Sequence, residues 1–348
     1  MPPRRVATVG VGERAKGGKV LAFVTRRLLF AVALLFAVSI FTYLLFTLLP
    51  ADPAALTCGK NCKPELIEAN RVRLGYDKPI AEQYWLFLKG IFAGRDYGEG
   101  AAAFSCPAPS LGYSFNQKEC VTTLIAESFP VTMYLALGAF VLWMALGIGL
   151  GTLAAVKRGK WQDRLATGFS AVGVSLPTFY IGLLVLFAVV IWFRWLPFPA
   201  YQSPFESPGD FFTAMLLPWI TLAVLSAASY TRLTRNGMLE AMNEDYVRLG
   251  VAKGLANRVI LRRYVLRSAL VPIITLAGLD FAALLGGAII TESVFSLPGM
   301  GRLSIRAVTD SDLPVLVGTT MMAAVFIVLA NVVVDILYGV LDPRVRTK

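Results

Sequence analysis

Two aspartates stand inside long apolar runs of this 348-residue chain: Asp280 within 268–291 and Asp335 within 313–341. A carboxylate at mid-membrane depth costs ~3 kcal/mol unless it faces water, a cation or a hydrogen-bond donor. Such a group binds cations, relays protons or bonds a neighbouring helix. For Asp280 two readings stand side by side: a hydrogen bond between helices, or the wall of a polar pathway. Asn331 and Asp335 lie four residues apart and share one helical face. Asp335 comes about two turns before the basic end of its run, within reach of interfacial Arg or Lys, which gives it and Asn331 a structural reading.

Other chemistry is bounded by what the chain carries. It contains no histidine, so imidazole metal sites, general bases and pH switches are excluded. Four cysteines, Cys58, Cys62, Cys106 and Cys120, fall in one segment, 50–128. In an oxidising exterior they pair as two disulfides in any of three connectivities, with a metal site as the alternative. Cys58-x-x-x-Cys62 is poor spacing for a metal, so no metal site is assigned. The glycines at 138, 147, 149 and 151 make no dinucleotide fingerprint, because Thr152 occupies the sixth position and no strand precedes them. They fit close helix–helix approach instead. VGVGERAKGGKV does not fit a phosphate-binding loop, so ATP chemistry would have to sit on another subunit.

The elements that must position these groups are apolar helices. The sequence is 56% hydrophobic and only 16% charged, against about a quarter charged in soluble domains. Runs 28–49, 129–156, 165–193 and 211–231 contain no charged residue, and 268–291 and 313–341 contain one each. Each is long enough for the roughly 20 residues that cross a bilayer. The fold class is therefore an all-α membrane protein with six transmembrane helices.

Charge sets the orientation. Of 33 Lys and Arg, 22 lie in the tails 1–27 and 342–348 and in the loops 157–164 and 232–267. Most of the rest lie in 50–128, a segment too long for its charge to orient the chain. Both termini are expected in the cytoplasm, and the net charge of +11 is topological, which argues against a nucleic-acid partner. The first run is too long for a signal peptide and lacks a cleavage site, so it reads as an uncleaved span. The expected organisation is a tail at 1–27, a first span at 28–49, an external segment at 50–128, a core of five spans at 129–341 and a tail at 342–348. Within 50–128, apolar periodicity predicts two short amphipathic helices divided at Gly75–Pro79, followed by a loop rich in small residues and proline.

The stretch DYVRLGVAKGL (245–255) is polar and basic between apolar runs, with Arg258, Arg262, Arg263 and Arg267 following. Residues 238–248 and 256–270 can each be helical, and Gly254 permits a sharp turn between them. A short cytoplasmic helix anchored at both ends by spans is suited to transmit force. By charge alone the stretch is a solvated basic loop.

The stretch resembles the conserved cytoplasmic loop of binding-protein-dependent ABC importer permeases, in the oligopeptide/dipeptide version. Asp245, Tyr246, Arg248, Ala252, Lys253, Gly254, Leu255 and Pro272 match that pattern, while Leu249 and Gly250 replace its usual Thr-Ala. TESVFSLPGMGRL (291–303) and DILYGVLDPRVR (335–346) are similar to two further family stretches, and the resemblance covers nearly the whole chain after the N-terminal tail. The long first external segment resembles that of the B-type subunit.

The resemblance implies a type I ABC importer permease fold, with 245–255 as the coupling helix against an ATPase subunit. It implies a homologous second permease, two ATPases carrying ATP and Mg, an external substrate-binding protein and peptide cargo moved by alternating access. Basic residues near the loop could pair with acids on the ATPase or with anionic membrane lipid. Asp280, Glu292, Phe295, Pro298 and Gly299 are the expected pathway or gate residues. Residues 292–301 and the 50–128 segment are the candidates for binding-protein docking or the outer gate. No catalytic residue and no cofactor is expected in this chain. The alternative is a proton-coupled secondary transporter using Asp280 and Asp335. A membrane enzyme is the weakest reading, since no nucleophile and base cluster.

Overall fold

Without charges to interrupt them, the apolar runs fold as long helices. The computed structural model describes residues 14–47, 53–56, 63–97, 104–114 and 116–341. Cys58, Cys62, the 342–348 tail, most of the N-terminal tail and the side chain of Asp335 lie outside what is described. The helices in chain order are α1 (Arg14–Thr47), the single turn α2 (Pro53–Leu56), α3 (Pro64–Leu74), α4 (Ile80–Ala93), α5 (Val121–Val156), α6 (Trp161–Ser175), α7 (Thr178–Leu186), α8 (Pro208–Met242) and α9 (Asp245–Ala252). They continue with α10 (Asn257–Val259), α11 (Leu266–Leu285), α12 (Ile289–Val294), α13 (Met300–Thr309) and α14 (Leu313–Leu341).

Among the described residues, five helical stretches are long and apolar enough to cross a membrane: Thr25–Leu44, Val121–Val156, Pro208–Met242, Asn257–Leu285 and Leu313–Val334. The run at 165–193 is not one rod. There α6 meets α7, which continues to Trp192 in wider π turns, at an angle of 104°. The proline ring of Pro177 disfavours the helical region for the residue before it, and Leu176 is extended, with φ −97° and ψ 134°. Counting this bent pair as one span gives six.

Small residues bring α5 and α8 together at the centre. A Cβ on Gly138 would fall 2.1 Å from the Trp219 ring, one on Gly147 2.5 Å from Tyr230 and one on Gly151 2.5 Å from Thr234, whereas Gly149 faces open space. Without a hydrophobic force between helices in lipid, such close backbone contact supplies the dispersion energy that holds them. Trp143, Leu135 and Met215 fill the same core and are fully buried. At the basic end, Arg235 of α8 donates from Nε and Nη2 to Asp163 of α6, at 2.6 and 3.0 Å. The Gly159 N–H donates to the same carboxylate at 2.9 Å. Removing either partner of such a pair leaves a poorly solvated charge.

At the opposite end, α3 stops at Gly75, whose φ of 73° suits glycine, and α4 starts after Pro79, where the sequence places the break. Beyond it the chain adds β structure to the helical fold. Strand β1 (Arg95–Tyr97) pairs antiparallel with β2 (Phe104–Cys106), and β3 (Tyr113–Ser114) with β4 (Glu119–Cys120). The stretch expected as a plain loop is thus partly hairpin. Hairpins this short are not stable alone in water. They are held by the Cys106–Cys120 disulfide and by packed rings, Tyr97 stacked on Phe104 at 5.3 Å and Phe104 tilted against Tyr113 at 3.9 Å. The unit docks on the start of α14: Ser114 Oγ donates to the buried Asp312, and Asn116 Nδ2 donates to the Asp310 carbonyl at 3.0 Å.

Candidate functional site

The polar stretch at 245–255 folds as a helix and a glycine turn. Glu244 is extended and hands its carbonyl to the N–H groups of Val247 and Arg248, at 3.0 and 3.3 Å, which starts α9. The helix ends after eight residues. Lys253 N–H donates to Leu249 O at 3.0 Å and Leu255 N–H to Gly250 O at 3.2 Å, closing the turn around Gly254. Gly254 has φ +74° and no atom within 4 Å of a would-be Cβ. Glycine is required here by the backbone alone, since other L-residues pay roughly 1–2 kcal/mol in that region.

One side of α9 is fixed and the rest is open. Val247 is buried among Ala155, Met238, Ala241, Ile260, Val265 and Ala269. Tyr246, Leu249, Val251 and Leu255 are 40%, 56%, 60% and 39% exposed, an apolar surface on a turn otherwise flanked by charge. Asp245, Arg248, Ala252 and Lys253 are exposed as well, and Arg248 pairs loosely with Asp245 at 3.7 Å. Tyr246 and Leu249, three residues apart, share one side of α9, and Val251 lies on another. At the two positions that depart from the family pattern, Leu249 adds to that surface. A Cβ on Gly250 would meet Leu255 and Ile260 at an ordinary 3.6 to 3.8 Å. From the turn, α10, a π segment at Ile260–Val265 and α11 run on into one span, Asn257–Leu285, with Arg258, Arg262, Arg263 and Arg267 exposed at its entry.

That span ends near a buried polar knot. Glu292 is fully buried. Its Oε1 accepts from Thr132 Oγ1 at 2.8 Å and from Ala288 N–H at 3.2 Å, and its Oε2 accepts from Arg302 N–H at 3.0 Å. Thr132 Oγ1 in turn accepts from Met300 N–H at 2.8 Å. Two donors of the first turn of α13 are thereby satisfied from outside the helix, and the carboxylate faces the positive end of its dipole. Burial pushes the Glu292 carboxyl above its usual range, while these hydrogen bonds pull it back. Gly299 is the residue that lets the knot close, because a Cβ there would lie 2.5 Å from the Glu292 carboxyl. Phe295 is also fully buried, so of the expected gate residues in this stretch only Pro298 is exposed.

Asp280 lies between these two regions on α11. It is exposed, and Tyr230 Oη of α8 donates to its Oδ2 at 2.7 Å. The interhelical bond weighed from sequence is therefore present, and the carboxylate still opens to the surface of the chain. Asn331 is exposed on α14. The residues expected at the pathway or gate thus separate into the Glu292 knot and the mid-span Asp280. Sequence reasoning missed Thr132, Tyr230 and the Asp163–Arg235 pair. Only the last carries a signal, as charges at the margins of apolar runs. Among the described residues no cluster of ligands could hold a metal.

Residues 147–347 match the family described as binding-protein-dependent transport system inner membrane component, and residues 20–136 match its N-terminal region. A putative peptide transport system permease protein of Brucella abortus (strain 2308) is 36% identical over 325 residues, covering 93% of this chain and 99% of that protein. A probable peptide ABC transporter permease protein of Sinorhizobium fredii is 34% identical, covering 93% and 99%. The glutathione transport system permease protein of Escherichia coli (strain K12) is 33% identical, covering 94% and 100%.

Proposed function

This chain belongs to the family of binding-protein-dependent inner-membrane components, the multi-pass permease subunits of ABC transporters, and from that premise we propose that it imports di- or oligopeptides. ATP hydrolysis, with its Mg, belongs to two separate ATPase subunits. A homologous second permease and an external binding protein complete the assembly. Both termini lie in the cytoplasm, so the basic end meets the ATPases and the hairpin end meets the binding protein. Asn331 and Asp335 keep their structural role on the last span. The relatives give no support to a proton-coupled carrier.

The observation that carries this reading is the build of α9: a short helix with exposed apolar side chains, fixed to the bundle through Val247 and joined through Gly254 to a span. Asp245, Tyr246, Arg248, Ala252, Lys253, Gly254 and Leu255 form the contact with an ATPase groove. When the ATPases close, α9 moves and the span moves with it. A ligand shifts a two-state equilibrium only by its differential affinity, so ATP and loaded binding protein must both favour the outward-open form. The Glu292 knot, with Phe295, Pro298 and Gly299, braces the outer gate by fixing α13 to α5. The exposed arginines at 258–267 face ATPase acids or anionic head groups.

Co-purification from detergent tests the reading directly. An ATPase pair is expected to follow the wild-type chain, and Gly254→Pro is expected to abolish uptake. If no ATPase co-purifies and Gly254→Pro transports normally, the coupling assignment is wrong.

A further inference from the structure

We propose that Asp280 and Tyr230 form a cation-accepting station on the translocation pathway, suited to an ammonium group of the cargo; this rests on the importer reading above. Asp280 sits within the span Asn257–Leu285, and it is exposed together with Pro272, Leu276 and Ala283. These positions recur at four, four and three residues, so they make one stripe along the helix. A carboxylate on that stripe cannot face hydrocarbon cheaply; it faces either a water-filled space or another protein.

The charges of this chain bear on the choice. None of the six apolar runs contains Lys or Arg. Arg232 stands two residues past Tyr230 on α8, yet among the described residues no Lys or Arg pairs with Asp280. Tyr230 donates one hydrogen bond to Oδ2, and among the described residues no hydrogen bond to Oδ1 is found. The described residues thus leave Oδ1 of Asp280 open and its charge without a cation, and a passing ammonium would supply both. The geometry is also movable, because Asp280 lies on the same helix that begins just after the Gly254 turn.

The test reads local electrostatics in the assembled complex. Leu276→Cys, one turn from Asp280, is treated with a cationic trimethylammonium-ethyl thiosulfonate and with its anionic sulfonatoethyl counterpart. Through hydrated space one charge about 6 Å away favours the cationic reagent by about tenfold. Adding Asp280→Asn should abolish that preference, whereas Tyr230→Phe, which keeps the charge, should preserve it. Ala283→Cys repeats the measurement on the same stripe should Leu276→Cys assemble poorly. A thiol that reacts with neither reagent, in the presence or absence of ATP, overturns the proposal and places Asp280 against protein or lipid. A preference that is absent, or that survives Asp280→Asn, overturns it too.

Uptake of alanyl-alanine with a free amino terminus should also fall about tenfold in Asp280→Asn, as expected for one lost ion pair in a hydrated space. Unchanged uptake would remove the cargo role. If the parent complex takes up neither dipeptides nor oligopeptides, the peptide reading fails, and the thiol ratio alone judges Asp280.

Discussion

The turn at Gly254 and the knot at Gly299 are both built around a glycine, yet for opposite reasons. At Gly254 a Cβ would meet nothing within 4 Å, and the requirement is the φ of +74°. At Gly299 a Cβ would strike Glu292 at 2.5 Å and Thr132 at 2.7 Å, and the requirement is space. The first lies beside exposed Leu249, Val251 and Leu255, the second beside fully buried Glu292 and Phe295. The turn leaves apolar side chains exposed for a partner; the knot pairs its carboxylate with donors inside the bundle. A force-transmitting subunit needs both, a handle that engages something and a far end that moves as one piece.

The same substitution at the two glycines breaks the comparison most sharply. Gly299→Val forces a branched side chain into the knot and is expected to cost about 3 kcal/mol or more. Thermal unfolding in detergent should show a much lower midpoint or no folded species. If Gly299→Val melts like wild type, the knot does not hold α13. Cys106→Ser comes next. The 14-residue separation of the Cys106–Cys120 bond predicts a loss of ~3 kcal/mol, confined to the hairpins. Limited proteolysis should cut the 95–120 region while the spans stay protected, and mild reduction of the wild type should reproduce the pattern.

These two regions also differ in how much could be read from sequence. The Gly254 turn was legible because every part of it is local: a polar stretch, a glycine and flanking spans follow one another in order. The helix break at Gly75–Pro79 was legible for the same reason. The knot was not, since Thr132 and Glu292 are 160 residues apart and a buried threonine looks like any other in an apolar run. The disulfide was legible only as a choice among pairings, because connectivity depends on two hairpins that short strands barely announce. The bend at Leu176 had a signal in Pro177, but hydropathy without a charge reads as one continuous span. Asp280 was conspicuous by its charge, whereas its partner Tyr230 was hidden by being ordinary.

Gly254→Val is the matched counterpart of Gly299→Val and should be much milder for the fold. The backbone cost is roughly 1–2 kcal/mol, and no neighbour is displaced. The expected outcome is a nearly unchanged melting midpoint with a weakened hold on the ATPases, measured by co-purification. Equal destabilisation at both glycines would erase the distinction between handle and brace.

Arg248→Ala is the smallest change and the finest cut. The pair with Asp245 is exposed on both sides and 3.7 Å long, a type worth at most about 0.5 kcal/mol to the helix. Alanine is also a better helix former than arginine. The substitution should therefore leave the melting midpoint of the isolated chain unmoved. Any loss in ATPase co-purification then belongs to the contact itself. If Arg248 meets an acidic groove, the loss should shrink as salt rises, because the wild-type contact is screened while the variant has nothing left to screen. A loss that is independent of salt would assign the contact to the exposed apolar side chains Tyr246, Leu249, Val251 and Leu255 and leave Arg248 a bystander.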